Sequence, residues 1–475
     1  MIDHILTTVG PLELGKIPAG TPRRVHPDVL AATLPGPGRD RLAQSDVLAV
    51  TTGQQPGLFT GPLYTIHKAL SAIVVARCLE RARGIPVVPV FWVAGDDHDF
   101  AEANHTWVLG REGEPVRIML RERPHEAPQL PLFREPCEPG SAAALEALQA
   151  ALPDSEFKAK VVGWLEAAYR GDTNLADAAA NALNALLAGR GLAVFRAYDR
   201  AAKRAAAPWL LRGLGETLDD GLSPVLIEGA LGRDRLKQEG AAFVTRRSNE
   251  RFGRAELEQV AAEAPERLSP NVLLRPVIEA ALFPTVAYLG GPGEMEYLPE
   301  SAPLFARLGV TPQAPVRRWS GLIIESRVQK VLKKYNLTPE DFREAPGALE
   351  TRLARADLPT DLAAALEQLR ADVTTRFQRI SGEVEQIDPT LERTVESARN
   401  AALAGANEIE KKLIASLKRA SGTVTAQLAR ARAALFPTGK PQERVLTVAS
   451  FMARYGTALL DEVEAEISRW AGARS

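Results

Sequence analysis

The sequence predicts an α/β protein: a parallel-sheet core with helical insertions and a long α-helical domain of weakly supercoiled helices. Three observations predict it. Residues 47–105 read as strand, glycine loop, helix and strand: apolar Val47 to Val50, a loop holding Gly53, Gly57 and Gly61, a helical pattern, then Val87 to Ala94 running into Gly95-Asp96-Asp97-His98-Asp99. A later stretch repeats the plan, with a strand at Thr285 to Leu289 and a second loop, Gly290-Gly291-Pro292-Gly293-Glu294. From Leu362 to Leu435 apolar residues recur at threes and fours among charged ones, the period of helices.

At 475 residues the chain is too long for one small core. The expected division is a first part of the core over 1–125, a helical insertion over 126–190, a second part of the core over 191–337, the coiled-coil domain over 338–437, and a C-terminal helical segment returning to the core over 438–475. Fifty-eight Lys+Arg against fifty-nine Asp+Glu leave a net charge of -1, so no nucleic-acid footprint is present. No apolar run approaches the ~20 residues of a membrane helix. The start MIDHILTTVG lacks a signal-peptide pattern, and a cytoplasmic location is expected. Two cysteines fit a reducing compartment without a disulfide framework. Cys78 reads as a small buried hydrophobe, and Cys137, in FREPCEPG, as an exposed loop thiol with no basic group to activate it.

Residues 1–46 are proline-rich but carry enough apolar side chains to wrap the core. In the first glycine loop Thr60 or Gly61 reads as the N-cap of the next helix and Pro62 as its first turn, which aims free N–H groups and a positive dipole end at the crevice. His67 and Lys68 follow on that helix, where side chains lean back toward the N-terminus. The spacing is neither GxGxxG nor GxxxxGK[ST]. In the acidic loop, Asp96, Asp97, His98 and Asp99, with Glu102, Asn104 and His105 after them, can orient an amine or take a proton. The contiguous D-D-H-D has no one-face ligand spacing, so no metal site is assigned.

TWVLG and PVRIML read as a hairpin, and Ser141 to Leu187 as helices broken at Leu152-Pro153 and Gly171-Asp172. A strand at Gly191 to Phe195 precedes an exposed turn, Tyr198-Asp199-Arg200. Asp219 to Arg267 reads as charged helix with one strand at Ala241 to Arg246, followed by a helix from Asn271 to Ala281. Pro315 to Ile324 is strand-like; Arg317, Arg318 and Ser320 suit an anionic group, although surface arginines are the commoner explanation. In the coiled coil Asp388-Pro389 marks either a new helix or a kink. At about 1.5 Å per residue the segment after it would extend roughly 70 Å. Its apolar stripe needs burial against a helix of this chain or of a second copy.

Several blocks, in order, carry a resemblance: TTGQQPGLFTGPLYTIHK, PVVPVFWVAGDDHDFAEANH, LSPNVLLRP, PTVAYLGGPGEMEY, IDPTL and LFPTGKPQERVL. Together they resemble the bacillithiol biosynthesis cysteine-adding enzyme family. The resemblance implies a ligase that joins the carboxyl of cysteine to the amine of glucosaminyl malate, a Rossmann-like core, a coiled coil and a homodimer. The second glycine loop is also similar to the paired-glycine loop that lies against the nucleoside in class I aminoacyl-tRNA synthetases, a fold-level analogy without their HxGH or lysine loop.

Amide formation needs an electrophilic carboxyl, a free amine held close, and stabilisation of the developing oxyanion. The backbone from Gly57 to Gly61, with His67 and Lys68, is the expected electrophile or phosphate site, and Asp96, Asp97, His98 and Asp99 are expected to orient the amine. Gly53, Gln54, Gln55, Thr60, Asn104, Gly290, Gly291, Gly293, Glu294 and Tyr297 complete the candidate substrate- or nucleotide-binding set. ATP or ADP with Mg is the candidate cofactor; whether ATP is consumed stays open. Two other readings stay open as well: a nucleotide-binding coiled-coil assembly protein, and a metal-dependent hydrolase using the Asp96–Asp99 loop.

Overall fold

The computed structural model describes residues 2–44 and 46–472. The chain forms two compact units, one from Met1–Ile324 with Lys440–Ser475 and the other from Glu325–Gly439. The first unit is built on a five-stranded parallel sheet. Its strands and key helices are β1 (Leu48–Gln54), α1 (Tyr64–Arg83), β2 (Val87–Val93), β3 (Ala193–Arg196), α2 (Arg200–Gly213), β4 (Thr285–Gly290), α3 (Pro292–Tyr297) and β5 (Ala314–Arg317). The order is β5-β4-β1-β2-β3, with every neighbouring pair parallel. The chain therefore winds one way from β1 to β3 and the other way through β4 and β5. The strand ends of β1 and β4 flank the switch point, where an open α/β sheet forms its crevice.

β2 is buried at every position and β1 at all but its last, the pattern of strands covered on both faces. Ala49, Val88, Val90, Trp92, Ala193 and Phe195 pack with Ala206 and Leu210 of α2, Val277 and Ile278 of helix Arg275–Leu282, and Leu304 of helix Ala302–Leu308. Helix α1 lies against β1 and β2 and is buried without a break from Thr65 to Ala76. Polar side chains on such a helix need internal partners, since a buried unpaired polar group is costly. This constraint decides the roles of His67 and Lys68.

Several local expectations are revised. Residues 225–270 do not form charged helix throughout: five short strands make an antiparallel sheet in the order 251–253, 242–245, 232–239, 225–229, 268–270. The strand Gly232–Glu239 alternates buried and half-buried residues through Leu236, a period of two hidden by its charge. The helix expected from Asn271 begins at Arg275, because the Asn271 side chain caps the preceding turn by accepting the Leu273 and Leu274 N–H groups. Tyr198 is buried, its hydroxyl donating to Asp177 at 2.8 Å. Cys137 is buried too, and burial pushes its thiol up. Strand Ile2–Thr7 pairs with Gly321–Glu325, and Arg23 donates to the last carbonyls of helix Arg275–Leu282. The N-terminal stretch thus lies on the core, apart from Met1 and Ser45, which lie outside the described residues.

In the second unit helices Thr360–Ile387 and Glu392–Ala420 pack on each other across a turn in which the Asp388 carboxylate accepts the Thr390 N–H. The rod expected beyond Asp388 breaks at Ser421, so its first helix is about 44 Å long at ~1.5 Å per residue. Leu369, Ile380, Leu391 and Ile409 remain exposed, and Ile387 is 83% exposed.

Candidate active site

A cavity of ≈ 530 Å³ opens at the switch point, a size typical of small-molecule sites. Its wall comes from the end of β1 (Gly53, Gln54, Gln55), from α1 (Tyr64, Lys68), from the loop after β2 (Asp96, Asp97), from the second glycine loop (Gly291, Gly293, Glu294), and from Arg233, Arg275, Arg318 and Arg444. Gly53 is required where it stands: a Cβ there would meet the Trp92 carbonyl oxygen at 2.9 Å.

Lys68 is almost fully buried. Its ammonium donates to the Gly53 carbonyl at 2.7 Å and to Gln54 Oε1 at 2.9 Å, and pairs with Glu294 at 2.5 Å. Burial pulls this ammonium below its ordinary range, and Glu294 offsets part of that pull. For Glu294 burial acts upward, but Lys68 and Arg275 outweigh it and the carboxyl stays low and charged. The same carboxylate accepts the Gly291 N–H at 2.7 Å and the Tyr288 hydroxyl. Glu294 is therefore the clasp between α1 and the second loop. Arg275 stands beside it, pairing with the fully buried Glu279 at 2.9 Å and reaching the Tyr288 and Tyr297 hydroxyls at 3.3 Å.

His67 does not reach the cavity. It is wholly buried edge-on to Trp319, with ring centroids 4.8 Å apart, and its Nδ1 bonds to Glu443 at 2.8 Å. Nε2 has no partner among the described residues, which fits a neutral ring donating from Nδ1. Burial lowers the imidazole, more than Glu443 raises it. Glu443 also takes Arg318 in a two-pronged pair at 2.9 and 2.7 Å and accepts the Ser320 hydroxyl at 2.6 Å. Burial acts upward on that carboxyl, yet His67 and Arg318 together hold it well below the ordinary carboxylate range. Arg317 is exposed and lies off this cavity.

The backbone from Gly57 to Gly61 is also absent from the cavity wall. Phe59, Thr60 and Gly61 turn through successive φ of 52°, 70° and 69°. The Tyr169 hydroxyl accepts the Thr60 N–H at 2.8 Å and donates to the Gly57 carbonyl at 2.7 Å. Thr447 donates to the Phe59 carbonyl at 2.9 Å, and the Leu63 N–H goes to the Leu446 carbonyl at 2.7 Å. Helix α1 starts at Tyr64 without a side-chain cap, so neither Thr60 nor Gly61 is its N-cap. This stretch, expected as a phosphate cradle, lies off the cavity wall and is held as a packing clamp, with the Thr60 and Gly61 N–H groups bonded inside the protein.

The acidic loop divides between two cavities. Asp96 and Asp97 face the first, with Glu102; His98, Asp99 and Asn104 line a second of ≈ 550 Å³ with Arg117, Arg123 and His125. Asp97 accepts the backbone N–H of His98 and Asp99, and Asp99 caps helix Phe100–Ala103 by accepting the Glu102 N–H. Asn104 is held by the Arg121 carbonyl and by His105. His98 is lowered by burial and by Arg233, whose guanidinium lies 3.4 Å from its Nδ1. These residues do not form a common ligand set, and among the described residues no three His, Cys, Asp or Glu side chains are grouped to hold a metal ion.

Asp96 is gripped from behind by Lys203 of α2, Nζ to Oδ2 at 2.5 Å. Of the side chains on the cavity wall, two carry a buried polar atom without a partner among the described residues: Asp96 Oδ1, an acceptor, and Arg318 Nε, a donor. The cavity wall thus carries one acidic and one basic side chain with an unpartnered atom, each braced by a residue off the wall, Lys203 for one and Glu443 for the other. Buried atoms that have lost water without gaining a protein partner are where a ligand gains most.

The chain is similar to known proteins over most of its length. The family description "Bacillithiol biosynthesis BshC, N-terminal Rossmann-like domain" matches residues 39–220 and 226–316, and "Bacillithiol biosynthesis BshC, C-terminal coiled-coil domain" matches 321–472. The chain belongs to the BshC family. Relatives named "Putative cysteine ligase BshC" include one from Salinibacter ruber, 33% identical over 448 residues (89% of this chain and 81% of the relative). Those from Chlorobaculum tepidum and Solibacter usitatus are 29% and 31% identical, spanning 89% and 90% of this chain and 81% and 85% of theirs. The wall residues Arg233, Arg275, Arg318 and Arg444 and the braces Lys203 and Glu443 were not in the expected site. Arg275 and Glu443 do lie in LSPNVLLRP and LFPTGKPQERVL, two blocks that carried the family resemblance, which was the available signal.

Proposed function

We propose that this chain is a cysteine ligase that joins the carboxyl of cysteine to the amine of glucosaminyl malate, the last step of bacillithiol biosynthesis. The observation that carries the reading is the polarity of the cavity: a buried, unpartnered carboxylate oxygen on Asp96 among acids, and a buried, unpartnered guanidinium N–H on Arg318 with Arg275 and Arg444 nearby. Glucosaminyl malate bears one amine and two carboxylates, the complement of that wall. Planar guanidinium groups suit the malyl carboxylates, and Asp96 receives the amine. The ammonium gives up one proton, its nitrogen attacks the cysteine carboxyl carbon, the new C–N bond forms as the bond to one carboxyl oxygen breaks, and a second proton leaves the nitrogen, one N–H remaining in the amide. The oxygen departs with those two protons as water, or on the group that has activated the carboxyl. Holding the amine at a fixed position is the contribution of Asp96.

In the first glycine loop the N–H groups of Thr60 and Gly61 are bonded internally, and in the second the Gly291 N–H is taken by Glu294. ATP with Mg is the candidate reagent for activating the cysteine carboxyl. The apolar residues exposed on the second unit, Ile387 foremost, support association of two copies through the coiled coil. No helix among the described residues is long and apolar enough to cross a membrane, which accords with a cytoplasmic enzyme.

The test is mass-resolved conversion of glucosaminyl malate and cysteine by the purified protein, with and without ATP and Mg. Product under either condition supports the ligase, and dependence on ATP identifies the activating reagent. No product, together with no binding of glucosaminyl malate, sinks the reading.

A further inference from the structure

Lys203 is a buried cation that pairs with Asp96 at the acidic end of the cavity without itself lining it. It projects from α2, a helix whose N-terminus is capped by Asp199 accepting the Ala201 N–H. Its side chain is 2% exposed, and its ammonium has two acceptors, Asp96 Oδ2 at 2.5 Å and the Leu268 carbonyl at 3.0 Å. Asp96 is 8% exposed. Arg233 is near enough for the Asp96 charge to act on it, and its guanidinium is bonded to Ser269 Oγ at 2.9 Å and the Pro270 carbonyl at 2.6 Å. One oxygen of Asp96 is thus fixed and the other, Oδ1, is buried with no partner among the described residues.

We propose that Lys203 is a positioning residue: by clamping Oδ2 it holds the Asp96 carboxylate turned so that Oδ1 receives the primary ammonium of the substrate. This rests on the ligase reading of the cavity. A buried carboxylate with no cation beside it either takes up a proton or swings to the nearest guanidinium. Here that guanidinium belongs to Arg233, and either response withdraws Oδ1 from the ligand. Lys203 therefore acts on recognition of the amine and leaves the arginine end untouched, since Arg318 is braced separately by Glu443.

The test is calorimetric binding of glucosaminyl malate and of its N-acetylated form, in which no ammonium exists, to the full-length wild-type, Lys203→Met and Lys203→Arg proteins. Wild type is expected to favour the free amine at least tenfold. Lys203→Met should lose that preference, binding both ligands within twofold of each other, while its affinity for the N-acetylated form stays within twofold of wild type. That unchanged affinity also certifies a folded cavity. In Lys203→Arg, which keeps the charge, most of the preference should return. Should Lys203→Met fail to fold, the Lys203→Met/Asp96→Asn double variant, which leaves neither charge buried alone, is compared with Asp96→Asn; equal affinities for the free amine are expected, because Lys203 acts only through Asp96. A full amine preference in Lys203→Met, an equal loss of affinity for both ligands, or a further loss in the double variant would overturn the proposal while leaving the ligase reading intact. If wild type binds neither ligand, the ligase reading falls and this proposal with it.

Discussion

The two glycine loops follow adjacent strands of one sheet, and each precedes a helix, but they do opposite work. In the first, residues 53–55 reach the cavity while 57–61 turn away and are pinned by Tyr169 from one side and Thr447 from the other. In the second, Gly291, Gly293 and Glu294 all line the cavity, with Glu294 tied to Lys68 and Tyr288. The lesson is that glycine in a loop reports backbone freedom and nothing about a ligand. Whether a loop binds depends on which segments arrive to take its donors.

The largest test of that contrast is Glu294→Ala. It strands Lys68 in a buried site, and breaking a buried pair costs about 3–5 kcal/mol. Chemical denaturation should show that loss, and binding of glucosaminyl malate should fall with it; unchanged stability would mean that the clasp is not what joins α1 to the second loop. On the first loop, Tyr169→Phe removes a hydroxyl that both accepts and donates, for roughly 1–3 kcal/mol. Here ligand affinity should remain within twofold, and a tenfold weakening would return the 57–61 backbone to the site.

A pH series sharpens the comparison further. Burial lowers the folded value of His67 below its ordinary 6.5, so between the two values the unfolded chain holds a proton that the folded chain lacks. Stability should then be lost as pH falls below about 6.5, by up to ~1.4 kcal/mol per pH unit from this group. His67→Gln should flatten that slope; an identical slope would assign it to other groups. The smallest effect is expected for Asp99→Ala, which removes a helix cap worth about 1 kcal/mol and should leave binding of glucosaminyl malate unaltered.

Local patterns in the sequence determined a good deal. Strand, loop, helix and strand from 47 to 94, the hairpin at 105–119 and the helical period on both sides of Asp388 were legible because burial imposes a period of 2 or 3.6 on neighbouring residues, whereas the turn at Asp388, left open against a kink, was decided by the structure. The small sheet was missed because Gly232–Glu239 carries charge on both sides of its alternation and reads as solvated helix. Lys68 and Asp96 were legible as chemistry-bearing residues near the crevice. Their pairings were not: Glu294 stood in the candidate set with nothing to tie it to Lys68, and Lys203, 107 positions from Asp96 and on a separate helix, was not in it. Only the tertiary structure decided that His67 is a brace, that the acidic loop splits between two cavities, and that Asp96 and Arg318 keep one unpartnered atom each. The physical reason is that sequence spacing governs which residues share a face, whereas the committed or open state of a polar group depends on what the rest of the chain brings within 3 Å of it.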